Sequence, residues 1–107
     1  MTHRLIIAVL FAVALAAGSV QAGGDAARGE GLATDSDCAM CHGDNGMGDE
    51  DNPNIAGMDE AAFVAALRGY KSGEREDESG MMADYAVDLS DQDMADLAAY
   101  YKSVGGN

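Results

Sequence analysis

The sequence predicts an all-α fold with a high share of loop, and two observations carry that reading. Apolar residues recur at helical spacing in its second half, on either side of a charged, glycine-punctuated stretch. No pair of alternating apolar and polar segments suggests a strand pairing. Of 107 residues, 14 are glycine, one is proline and none is tryptophan, so a chain this small needs something besides its own side chains to fill its centre.

The first element is an export signal. Thr2-His3-Arg4 gives a short positive region, residues 5–17 run without a charge, and Val20 and Ala22 sit as small residues before a cleavage site. The run is shorter than the roughly 20 apolar residues of a spanning helix. Cleavage after Ala22 is therefore expected, leaving residues 23–107 as one domain with no stable membrane span and a periplasmic location.

Within that domain the sequence predicts three main helices. Residues 25–33 form a short first one, ending near Thr34-Asp35-Ser36. Its Gly29 and Gly31 cost about 1 kcal/mol each against alanine, a cost tolerable where another backbone comes close. Residues 43–57 read as loop, broken by Gly43, Gly46, Gly48, Gly57 and the Asn-Pro step. Asp59 caps the next helix, whose apolar face is Phe63, Val64, Leu67 and Tyr70, and Ser72-Gly73 ends it. Residues 74–79 are a solvated charged loop. The last helix starts at Ser90 with Asp93 in capping-box position, presents Met94, Leu97, Ala98 and Tyr101 on one face, and stops at Gly105-Gly106.

Charge narrows the partners. Residues 23–107 hold five basic side chains against 19 acidic ones. A nucleic acid would be repelled. A protein partner with a basic docking surface is favoured, and the same acidity also suits a salt-adapted, well-solvated surface.

Chemistry concentrates at Cys38-Ala39-Met40-Cys41-His42, the spacing of c-type haem attachment. Two thiols three positions apart can each add to one vinyl group of a porphyrin, and the following His42 then lies where it can bind the iron through Nε2. A zinc site would require further ligands than this motif holds. A thioredoxin-like pair would require a βαβ setting, and a disulfide across so short a loop would constrain the unfolded chain little. The motif therefore predicts one covalently attached haem c, with its iron, per chain.

Cys38-Ala39-Met40-Cys41-His42-Gly43-Asp44-Asn45-Gly46, then Pro53-Asn54-Ile55-Ala56-Gly57, then Tyr70-Lys71-Ser72-Gly73-Glu74-Arg75, a methionine, and Leu89-Ser90-Asp91-Gln92-Asp93-Met94-Ala95-Asp96-Leu97-Ala98-Ala99-Tyr100-Tyr101 together resemble a bacterial class I cytochrome c. The similarity extends to one half of the tandem diheme bacterial cytochromes and to the haem subunit of flavocytochrome c sulfide dehydrogenases. It implies the class I fold, short helices and glycine-rich loops wrapped around one haem. It implies that Cys38 and Cys41 hold the haem, that His42 is the proximal ligand, and that the Pro53 carbonyl accepts a hydrogen bond from the other imidazole nitrogen.

It also implies a methionine sulfur as sixth ligand. Met40 lies beside the attachment site, Met47 and Met58 follow His42 on the proximal loop, and Met94 belongs to the last helix's core face. Met81 and Met82 remain, on the loop entering the last helix; spacing to Leu89-Ser90 favours Met82, with Met81 the alternative. Leu32, Ile55, Phe63, Leu67, Tyr85 and Leu97 are candidate haem walls. Tyr70, Lys71 and Arg75 are candidates for a propionate, Arg75 foremost.

The function so implied is a periplasmic one-electron carrier cycling Fe(III) and Fe(II) in a respiratory, photosynthetic or sulfur-oxidation chain, without catalytic residues. An electron-accepting haem subunit of a flavoprotein dehydrogenase, and a haem sensor or enzyme with an open iron position, are the alternatives.

Overall fold

The computed structural model describes residues 23–77 and 79–105. The expected export signal lies outside the described residues, as do Glu78 and the last two positions. Among the described residues five helices follow one another: α1 (Ala26–Asp35), α2 (Cys38–His42), α3 (Glu60–Ser72), α4 (Met81–Ala86) and α5 (Asp91–Gly105). No strand occurs among the described residues. The three long helices are those the sequence predicts, and α2 and α4 are additions to them.

Each long helix starts where a side chain satisfies its first amides. Asp25 precedes α1 and accepts from the amides of Ala27 (3.0 Å) and Arg28 (3.2 Å). Asp59 accepts from Ala62 at 3.1 Å ahead of α3, and Gly73 ends that helix at φ +87°. At α5 the capping box is reciprocal: the Asp93 amide donates to Ser90 Oγ at 3.0 Å, and the Ser90 amide to Asp93 Oδ2 at 2.9 Å. Aspartate is long enough to close it.

The core is Ala33 from α1, Phe63 and Leu67 from α3, Ala86 and Leu89 around α4, and Met94, Leu97, Ala98 and Tyr101 from α5. Tyr101 stacks on Phe63 with ring centroids 5.6 Å apart and meets Tyr100 edge-on at 5.0 Å. Helix α5 is the common wall, since α1 and α3 both pack on it. Its crossing with α1 is close enough that a Cβ on Gly29 would stand 2.0 Å from the Asp96 carbonyl oxygen. Gly31 has open space instead, so only one of the two helix glycines is there for close approach.

An ion-pair network stitches this crossing. Asp96, 1 % exposed, receives the Asp25 amide at 2.7 Å, Gln92 Nε2 at 2.9 Å and Arg28 Nη1. Arg28 Nη2 also reaches Asp93 at 2.9 Å.

Candidate functional site

Helix α2 consists of the Cys38-Ala39-Met40-Cys41-His42 motif itself, entered through Asp37 in the left-handed region (φ 64°) and left through Gly43 (φ 87°). It packs on α1. His42, at its last position, is buried with 7 % exposure.

The following loop returns to His42 because its own backbone folds it there. The Gly48 amide donates to the His42 carbonyl at 2.7 Å, and the Asp49 amide to the Asn52 carbonyl at 2.8 Å. The Asp49 carboxylate accepts from the amides of Asp51 and Asn52, each at 2.9 Å, and these bonds hold it below the usual carboxylate range. Gly48 sits at φ +72°, where a Cβ would meet the Asn52 carbonyl at 2.3 Å. The loop thus presents the Pro53 carbonyl to His42 Nδ1 at 2.8 Å. A carbonyl only accepts, so Nδ1 carries the proton, and in the neutral ring Nε2 keeps its lone pair.

Both cysteines are half-buried and not joined to each other. Burial pushes the Cys38 thiol up to about 11.

The methionines separate by environment. Met40 (73 %) and Met47 (62 %) are exposed, and Met94 is wholly buried in the α5 core. Met81 and Met82 do not lie in a loop, as the sequence reading has it. They open α4, a six-residue helix resting on α3. A helix that short is marginal in isolation and exists by its packing, which periodicity cannot reveal. Met81 is 47 % exposed, whereas Met82 is half-buried against the core.

Of the candidate walls, Phe63, Leu67 and Leu97 are buried, and Leu32 and Ile55 pack partly buried against them. Tyr85 is half-buried. Lys71 Nζ donates to the Leu89 carbonyl. Arg75 lays its guanidinium over the Tyr70 ring, 5.2 Å from the centroid. Two groups escaped sequence reading: the Asp77 carboxylate, hidden in a charged run, and the Tyr101 hydroxyl, hidden in an apolar stripe.

The residues fit a haem on several counts. His42 is held by Pro53 through Nδ1, which leaves Nε2 as the nitrogen that would meet an iron. Helix α2 contacts α1 and helix α4 contacts α3, and the two do not contact each other, so the attachment motif and the methionine pair stand on separate supports. The Tyr101 hydroxyl is buried with no hydrogen-bond partner among the described residues, an orphan that calls for a group beside it. Together these features suit a covalently attached haem.

Comparison with known proteins gives the same answer. Residues 26–105 match the family model described as cytochrome c. Cytochrome c-554(548) of Halomonas halodenitrificans is 39 % identical over 83 residues, covering 75 % of this chain and 96 % of that one. Cytochrome c4 of Pseudomonas aeruginosa is 35 % identical over 104 residues, covering 94 % of this chain and 48 % of that one. Cytochrome c-554(547) of Halothiobacillus neapolitanus is 37 % identical over 86 residues and 93 % covered. The chain therefore spans about half the length of the cytochrome c4 it resembles and nearly all of the two c-554 proteins.

The chain belongs to the cytochrome c family, as a class I c-type cytochrome. It carries covalently attached haem c and is a haem-based electron carrier, not an enzyme.

Proposed function

We propose that this cytochrome is a periplasmic one-electron carrier whose haem is held by Cys38 and Cys41, with His42 Nε2 and the Met82 sulfur as the two axial ligands. The observation that carries this reading is the 2.8 Å contact between His42 Nδ1 and the Pro53 carbonyl. It fixes the tautomer and ring plane, and raises the basicity of the nitrogen offered to the iron. Bound haem supplies an iron that exchanges one electron between Fe(III) and Fe(II). Met82 is favoured over Met81 because a half-buried thioether is directed inward, whereas Met81 is nearly half exposed.

Two protein ligands leave no position for a substrate, which suits a carrier. Pro53 and the loop around it keep the imidazole from rotating, and the buried Phe63, Leu67 and Leu97 keep water from the site. Arg75, oriented by the Tyr70 ring, supplies a counter-charge for a haem propionate. The acidic surface supports transient docking to a basic redox partner, burying less than about 1,200 Å². Residues 1–22 direct export and are removed, and no helix among the described residues is long and apolar enough to cross a membrane.

The absorption spectrum of the oxidised holoprotein tests the ligand set. A weak band at the near-infrared edge, characteristic of methionine on Fe(III), is expected, and Met82→Ala abolishes it while Met81→Ala leaves it. Persistence after Met82→Ala moves the ligand to Met81. Rapid carbon monoxide binding by the reduced wild type at neutral pH would overturn the six-coordinate carrier.

A further inference from the structure

Helix α4 is poorly provided for at its start. Gly80, its cap position, sits at φ 72° and has no side chain to receive the first amides. Six residues supply too few internal bonds for independent stability, and α4 packs on α3 alone among the helices. Something must hold its first turn, which carries Met81 and Met82.

The segment before it does so through two side chains. The Met81 amide donates to Ser79 Oγ at 3.2 Å. The Ser79 hydroxyl donates in turn to Asp77 Oδ2, and the Gly80 amide to the Asp77 carbonyl at 3.1 Å. The Asp77 carboxyl is held below the usual range, first by the Ser79 hydroxyl and against the opposing effect of burial, with the Met82 amide contributing. Its other oxygen, Oδ1, is buried without a partner among the described residues. One carboxylate oxygen shielded from water without a partner is unfavourable, and the bonds made by the rest of Asp77 offset it.

We propose that Asp77 is a positioning residue for the sixth ligand, anchoring the first turn of α4 so that Met82 is held at the iron. The inference rests on the reading of Met82 as ligand. Asp77 does not touch the iron. It acts through Ser79 and the amides at the start of α4, raising the cost of swinging Met82 away.

Imidazole added to the oxidised holoprotein measures that cost, because it binds iron only when the methionine leaves. Loss of a helix cap is expected to make Asp77→Ala bind imidazole about tenfold more tightly than wild type, with parallel loss of the near-infrared-edge band. Asp77→Asn keeps an acceptor oxygen and stays within about twofold of wild type. Ser79→Ala, which removes only the hydroxyl, gives about threefold and serves where Asp77→Ala fails to fold. Asp59→Ala removes a comparable cap from α3 and leaves imidazole affinity unchanged.

Wild-type imidazole affinity in both Asp77→Ala and Ser79→Ala overturns the proposal. An equal rise in Asp59→Ala also overturns it, by reducing the effect to general destabilisation. Asp77→Asn behaving like Asp77→Ala overturns the anchoring role in favour of a charge effect. If Met82→Ala retains the band, the ligand reading fails and takes this inference with it. If that variant loses the band while Asp77→Ala and Ser79→Ala both bind imidazole as wild type does, the ligand reading stands and the positioning role alone falls.

Discussion

Asp96 is a carboxylate with 1 % exposure in a helix that otherwise turns apolar residues inward. Burial alone would raise its pKa. The Asp25 amide, Arg28 and Gln92 outweigh that and hold it below the usual carboxylate value. Arg28 is half exposed, so much of its attraction is screened and the hydrogen bonds carry more of the effect. Asp96→Asn is expected to lower stability at neutral pH by about 1–3 kcal/mol. A depressed native pKa stabilises the fold above the unfolded value, near pH 4, and the contribution disappears as pH falls through the native value. Denaturant midpoints of wild type and variant should therefore differ at pH 7 and converge towards pH 3. Asp93, also held low, by the Ser90 amide first and Arg28 after it, adds to the acid sensitivity of both.

At the scale of elements, the α1–α5 crossing supports the motif helix, because α2 packs on α1 and α1 on α5. Gly29 lies at the crossing, where an added Cβ would meet backbone at 2.0 Å and the Tyr100 Cβ at 2.8 Å. Neither atom can move without shifting α5. Gly29→Ala is expected to cost about 1–3 kcal/mol by overpacking, while Gly31→Ala, pointing into open space, gains up to about 1 kcal/mol through helix propensity. Guanidinium unfolding of the two holoproteins checks the opposite signs. A fall in stability for both would mean that α1 packs on its Gly31 side as well.

For the whole molecule the governing quantity is the formal charge of −13 for the full sequence. Self-repulsion opposes compactness, and salt screens it, with a Debye length of about 10 Å at 0.1 M and about 3 Å at 1 M. Added salt is expected to raise the thermal midpoint while slowing oxidation of the reduced protein by a cationic reagent. An anionic reagent should show the opposite rate trend, and the two rates should approach each other at high salt. Stopped-flow rates with a matched reagent pair read this directly. Salt-independent rates for both would remove charge from the account of partner choice.

The sequence by itself determined what is local. The caps at Asp59 and Ser90–Asp93, the stop at Gly73 and the attachment motif all depend on groups within a few positions of one another, so their spacing contains their geometry. The Pro53 contact to His42 was reached through family resemblance, and the backbone bonds of residues 48–53 give its physical basis. Only the tertiary structure decided what depends on distant packing. Gly29 and Gly31 are alike in sequence, yet only one faces Asp96. Asp96 resembles its acidic neighbours but is the buried one. Residues 81–86 are helical because α3 lies beneath them and Asp77 and Ser79 hold their start. The haem-attachment spacing was thus legible at Cys38, Cys41 and His42, while the contacts that support Met81 and Met82 were not, since burial is set by what packs from elsewhere in the chain.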